Sequence, residues 1–209
     1  MAIEVTDRDR AKALRREALL RESARLFATR GFSAVSLEDL GAAVGVSGPA
    51  VYRHFSGKQA LLGALLIDVS QRLHDGGAAV IARDVTPRER LRELIQFHVT
   101  FALSQSDVIR VQDRDLAQLS PTDHDSVRRL QRAYIQSWMN ALSDVVPSLD
   151  ASELRLRVQA GFGLINSTPH SVGSNTHAPD TAATLIAMTT AALLASREDG
   201  GYVFAPATF

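Results

Sequence analysis

Apolar residues recur at helical spacing along nearly the whole chain, and only Tyr202-Val203-Phe204 hints at a strand. The clearest pattern lies at residues 36–61. Leu37, Leu40 and Val44 share one face of a short helix. Ser36 precedes that helix with Asp39 three residues on, the spacing of a capping box in which Asp replaces the commoner Glu. Gly45 follows the last apolar position, where a left-handed cap is wanted. Val46 plugs the turn into the core. Ser47 is placed to N-cap a second short helix, with Pro49 in its first turn, where a missing N–H costs little. Val51 and Phe55 point inward at i and i+4, which leaves Pro49, Ala50, Tyr52, Arg53 and His54 on the other sides. Lys58 then opens a longer helix, whose free N–H groups suit a phosphate.

Downstream the pattern is helix after helix. The first runs from Lys58 past Leu73, where Asp75-Gly76-Gly77 should kink or fray it. Thr86-Pro87-Arg88-Glu89 is a helix start, with Thr as N-cap, Pro at the first position and Glu at the third. Leu91, Leu94, Ile95, His98 and Ala102 follow on one face. A helix over 108–119 is expected to break at Ser120-Pro121-Thr122, and another over 123–146 carries Val127, Leu130, Tyr134, Trp138, Ala141 and Val145 in line. Asp150 is a good N-cap for the next, whose stripe is Leu154, Val158, Phe162 and Ile165. That helix ends on the polar run Asn166-Ser167-Thr168-Pro169-His170, before a loop over 171–178. The final helix, over 181–195, is apolar almost all round, and such a helix is buried on every side. A terminal helix in so small a protein needs a partner subunit for its second wall.

Two short helices about a glycine turn, with a basic flank, form a helix-turn-helix. Such a motif docks its second helix in the major groove, read from the N-terminal residues, with flanking groups on the phosphates. Pro49, Ala50 and Tyr52 are the candidates for base edges or a thymine methyl. Ser36, Ser47, Tyr52, His54 and Lys58 are the candidates for phosphates, and Gly48 and Arg53 complete the DNA-binding set. Residues 12–62 resemble the DNA-binding domain of the TetR/AcrR family of transcriptional regulators. The resemblance rests on Leu20, Ala24, Leu26, Phe27 and Arg30-Gly31-Phe32, on Ser36-Leu37-Glu38-Asp39-Leu40 and Ala43-Val44-Gly45-Val46-Ser47, and on Val51 to Lys58 with Leu61-Leu62. Gly48-Pro49-Ala50 and Lys58-Gln59 depart from the family's usual residues, so the operator cannot be borrowed from a relative.

The resemblance implies that the last two long helices of each protomer form a dimeric four-helix bundle. Gly161, Gly163, Ala182, Ala183, Ala191 and Ala192 would allow close approach. Two reading heads about a two-fold axis select a palindromic site, spaced by about one turn of DNA, 34–36 Å. A regulator also needs an effector pocket linked to the helix that begins at Lys58, switching by a shift between two head spacings. Phe97, His98, Phe101, Ile109, Leu116, Trp138, Phe162, Ile165 and Asn166 are candidates for its lining, an apolar majority with a few polar groups. Each has a plainer role as core, and His98 on its apolar stripe reads first as a satisfied core histidine. Arg110 could hold a carboxylate or phosphate of the effector, or pair with Asp107 or Asp113 on a solvated face. Family members with similar stretches over 110–119 and 163–170 often accompany acyl-CoA or branched-chain catabolism, so such a thioester is the effector the resemblance suggests.

Composition changes this picture little. Lys and Arg equal Asp and Glu at 23 each over 209 residues, yet residues 1–60 hold ten basic against seven acidic groups. The early run Arg8, Arg10, Lys12, Arg15 and Arg16 is either a DNA-touching arm or a solvated face, since Asp7, Asp9 and Glu17 are interleaved. The absence of cysteine removes disulfides and thiolate zinc sites. No signal-peptide core precedes the first helix, and no apolar run reaches the roughly 20 residues of a bilayer span, so a cytoplasmic location off the membrane is expected. The six histidines lack metal-ligand spacing, with His124 between Asp123 and Asp125 the weak exception. No phosphate loop or nucleophile elbow is present, so neither an enzyme nor a bound cofactor is expected.

The expectation is an all-α protein. Residues 1–57 form a three-helix helix-turn-helix domain, residues 58–200 a helical effector-binding and dimerisation domain, and residues 201–209 a tail. Its partners are a palindromic double-stranded operator, a small-molecule effector and a second copy of itself. Its function is that of a ligand-responsive regulator, in the first instance a repressor. The rival is a ligand-binding or sequestering helical protein that keeps a vestigial reading head.

Overall fold

A computed structural model of the chain describes residues 6–167 and 178–195, all of them in helices, turns or connecting segments. In chain order the helices are α1 (Asp7–Arg30), α2 (Leu37–Ala43), α3 (Gly48–Val51), α4 (Lys58–Ile81), α5 (Pro87–Ser104), α6 (Ser106–Asp115), α7 (Pro121–Val145), α8 (Ala151–Asn166) and α9 (Ala178–Leu194), with a 3-10 turn at 116–118. The expected strand at 202–204, the polar ending at Thr168-Pro169-His170, the 171–177 loop and the 201–209 tail lie outside the described residues.

The starts follow the sequence closely. Thr6, Ser36, Thr86, Ser120 and Asp150 each accept a backbone N–H of the first turn, and Ser36–Asp39 and Thr86–Glu89 close full capping boxes. Ser120-Pro121 marks the expected break after the 106–118 stretch and also begins the next helix: Ser120 caps α7 and Pro121 occupies its first position. Gly76 and Gly77 do not fray α4, which is continuous over 24 residues. Each glycine instead makes room for an aromatic ring. A Cβ at Gly77 would stand 2.5 Å from Tyr134 Cε2, and one at Gly76 would clash with the end of the Phe97 ring.

Two apolar clusters organise these helices. The first joins Leu19, Phe27, Leu40, Val51 and Phe55 of the α1–α3 region to Leu61, Leu62, Leu66 and Val69 of α4, and reaches Val111 of α6 and Val127 of α7. The second is built from Leu91, Leu94, Ile95 and Val99 of α5, Tyr134, Trp138 and Leu142 of α7, Val158 and Ile165 of α8, and Leu185 and Leu193 of α9. The buried face of α4 belongs to the first cluster, and its last turns, through Leu73 and Val80, pack on the second.

Polar groups also tie α1–α3 to the rest. Arg114 of α6 pairs with Asp115 at 2.8 Å and donates to Phe27 O, which also accepts the Gly31 N–H, and, at 3.4 Å, to Ala28 O in the last turn of α1. Gln59 Nε2 donates to Gln118 O at 2.9 Å.

Helix α9 buries Leu185, Thr189 and Leu193 against its own protomer, while Ala183, Ala187, Met188, Ala191 and Ala192 stay exposed. Within one chain it is thus not enclosed on every side. Leu156 and Ala160 of α8 are also exposed, with Leu156 at 66%. Gly161, expected at a subunit contact, faces inward, 3.5 Å from Thr189 and Leu193 for a Cβ placed there, whereas Gly163 opens on free space.

Candidate nucleic-acid interface and effector core

The reading head is set by its turn. Gly45 adopts φ 70°, the left-handed conformation that ends α2 without a Cβ penalty. Val46 N then bonds Gly41 O at 2.8 Å, and Val46 packs half-buried on the first cluster. Ser47 occupies the N-cap position of α3 in extended backbone, but its hydroxyl makes no cap bond. Helix α3 and its C-terminal exit display Pro49, Tyr52 and Arg53 to solvent, with Ala50 half-buried and Tyr52 56% exposed. These are side chains on one short element seated firmly on the core.

Three other candidate residues are already engaged, and a fourth, His54, is partly buried. Gly48 is buried, its open side 3.2 Å from Glu38 Oε1 for a Cβ placed there, so only its backbone is on offer. The Ser36 hydroxyl is 2.6 Å from Asp39, which also accepts the Ser36 N–H at 2.8 Å and Arg30 at 3.2 Å. Those bonds to Ser36, helped by Arg30, hold the Asp39 carboxyl down to about 2. Lys58 Nζ donates to Phe32 O at 2.8 Å and Ser33 O at 3.2 Å and sits 4.6 Å from the Phe32 ring. Its ammonium braces the α1–α2 connection, and what it leaves for a phosphate is the N-terminus of α4. His54 is half-buried with Nδ1 lacking a partner. Burial, then the charges of Lys12, Arg15, Arg16 and Arg53, lower its pKa.

The candidate effector residues divide. His98 (3% exposed), Trp138, Phe162 and Asn166 come together with Tyr134, a residue of the α7 stripe to which the sequence pattern assigns no site role. His98 Nδ1 lies 3.3 Å from Tyr134 Oη and Nε2 lies 3.2 Å from Asn166 Oδ1, which joins α5, α7 and α8 at one imidazole. Phe162 stacks on His98 with ring centres 4.7 Å apart. Burial lowers the His98 pKa to about 4, against the opposing bond to Asn166, and burial also raises that of Tyr134. Trp138 Nε1 is buried without a hydrogen-bond partner. Phe97 covers Gly76, Phe101 lies 6.3 Å from His98, and Ile109 and Ile165 are buried in the same cluster. Leu116 lies apart, packed on the first cluster, and Arg110 is half-buried and already has an interaction partner. A cleft of about 550 Å³ lies elsewhere, between α1, α4 and the start of α6, lined by Arg16, Arg21, Asp68, Arg72 and Asp107 among others.

Among the described residues no three His, Asp or Glu side chains gather as metal ligands, and no helix is long and apolar enough to cross a membrane.

Comparison with known proteins matches both halves of this arrangement. Residues 19–65 match the model of bacterial regulatory proteins of the tetR family, and residues 84–170 match a tetracyclin repressor-like C-terminal domain. The chain is 29% identical over 154 residues to the HTH-type transcriptional regulator BetI of Brucella anthropi, covering 72% of this chain and 76% of that protein. It is 32% identical over 92 residues to BetI of Rhizobium meliloti, covering 44% of each. A TetR-family regulator from Bordetella parapertussis has the same fold, with a TM-score of 0.75 at 20% identity over 83% of this chain and 93% of that one. PfmR from Thermus thermophilus does too, with a TM-score of 0.72 at 22% identity over 84% and 96%. With both the head and the helical body matched, the chain belongs to the TetR family of transcriptional regulators.

Proposed function

We propose that this regulator is a homodimeric repressor of the cytoplasm, which binds a palindromic operator and is released by a small molecule. Regulators of this family bind DNA as dimers and take small-molecule effectors. The observation that carries the reading here is the exposed Pro49–Tyr52–Arg53 surface of α3 and its exit, held over a turn that Val46 pins to the core. Pro49, Ala50 and Tyr52 meet the bases, and Ser47, Arg53 and the backbone N–H groups at the start of α4 meet phosphates. The exposed apolar faces of α8 and α9 meet their symmetry mates. The effector enters among His98, Tyr134, Trp138, Phe162 and Asn166, where the unpartnered indole N–H and the His98 bonds supply the polar contacts.

The test is fluorescence anisotropy with DNA flanking the protein's own gene, with unlabelled competitor. Tight, competitor-resistant binding to a palindrome is expected, with Tyr52→Ala weakening it by about tenfold or more, the loss of one good base contact, while leaving the circular dichroism spectrum unchanged. Full affinity in Tyr52→Ala removes α3 as the reading surface. Binding that competitor abolishes on every fragment favours the sequestering protein with a vestigial head. The effector screen on that complex starts with acyl-CoA thioesters.

A further inference from the structure

The first three turns of α1 are largely solvent-facing: residues 7–17 are all exposed, and burial begins only at Leu19. Apart from Ala11, Ala13 and the exposed Leu14 this stretch is polar, and a mostly polar, sparsely packed helix needs another reason to persist. Its acidic groups are mostly spent locally. Asp9 accepts from the Thr6 hydroxyl at 2.6 Å and Asp7 pairs with Arg10 at 3.4 Å, while Glu17 turns to the cleft against α4. Arg8, Lys12 and Arg15 lie at i, i+4 and i+7 on the face that continues into buried Leu19. Beside them the Arg16 guanidinium is 5.2 Å from the Phe55 ring, which anchors this stripe to the end of the reading head. Lys12, Arg15 and Arg16 are close enough to His54 to act on its charge, as is Arg53 just beyond α3. Among the described residues, none of Arg8, Lys12 and Arg15 has an acidic partner within salt-bridge distance. The result is one cationic patch, shared by α1 and the α3 exit, on a protein of zero net charge.

We propose that the projecting half of α1 is a second DNA-binding element, in which Lys12 and Arg15 hold phosphates beside those reached from α3. This inference rests on the proposed DNA-binding function and adds a footprint outside the helix-turn-helix. Its contacts are to the backbone, so they add affinity and register and carry no base preference.

The experiment measures binding to a fluorescein-labelled duplex of mixed sequence, about three helical turns long, from about 50 to 200 mM salt. It compares the wild type, Lys12→Ala/Arg15→Ala and the control Arg10→Ala, whose charge is paired and on the opposite face. The double variant is expected to lose affinity most at low salt, its log–log salt slope becoming shallower by about 0.9 for each phosphate it no longer neutralises. Arg10→Ala is expected to keep the wild-type slope. An unchanged slope in the double variant makes the stripe a solvated face and overturns the inference while leaving the proposed function intact. An equal fall in Arg10→Ala overturns it too, since net charge would then be the cause. Absence of salt-dependent binding in the wild type defeats the proposed function itself, and this inference with it.

Discussion

At the scale of single residues, His98 is the most constrained polar group described. Both ring nitrogens are partnered inside an apolar cluster, and burial holds its pKa at about 4. An unfolded histidine titrates near 6.5, so the unfolded chain binds the extra proton first. The stability this site contributes is therefore complete above about pH 6.5 and is lost as pH falls towards 4, roughly 3 kcal/mol across that window. Urea denaturation of the wild type should show that loss. His98→Gln, less stable at pH 7, should show a smaller fall from about pH 6.5 to 4. The sequence pattern puts His98 on an apolar stripe, and the core role this suggests is the one observed. It cannot supply Tyr134 as a partner, because the two are 36 positions apart and meet only when α5 and α7 pack. Lys58 shows the same limit: its place at a helix start is legible, but the Phe32 and Ser33 carbonyls that occupy its ammonium are not.

At the scale of elements, capping chemistry is the most readable feature, because a cap is a contact between residues three apart. Ser36–Asp39, Thr86–Glu89 and Asp150 are read from local sequence alone. Glycine is less so, since its meaning depends on what approaches it. Gly45 ends a helix through its own backbone and is legible. Gly76-Gly77 reads as a kink or a frayed end, whereas the helix runs on and the pair forms a notch filled by Phe97 and Tyr134. The two meanings make opposite predictions for Gly77→Ala. Helix propensity alone would stabilise α4 by about 1 kcal/mol. A methyl group pressed on the buried Tyr134 ring instead costs about 1–3 kcal/mol of overpacking. We expect net destabilisation by thermal melting, and a smaller effect for Gly76→Ala, because Phe97 is only half-buried and its ring can swing aside.

For the whole molecule, the outer faces of α8 and α9 leave Leu156 at 66% and Met188 at 51% exposed amid alanines. If these faces form the subunit contact, Leu156→Glu/Met188→Glu should sediment as a folded monomer and lose operator binding, while an unchanged dimer would move the interface elsewhere. That the terminal helix is apolar is legible from residues 181–195, but which of its sides faces inward is not, because Leu185, Thr189 and Leu193 are chosen by packing on α5 and α8. Unbroken α4 has a further consequence. From Gly77 to Lys58 it spans about 28 Å at 1.5 Å per residue, with the proposed effector site at one end and the reading head at the other. A tilt of only about 5° at the notch would move the head by about 2.5 Å, and two symmetric heads by about 5 Å relative to each other. That exceeds the roughly 3.4 Å between successive base pairs. In the proposed dimer, a small tilt at the notch is thus geared up, by helix length alone, into a misfit of more than one base pair on the operator.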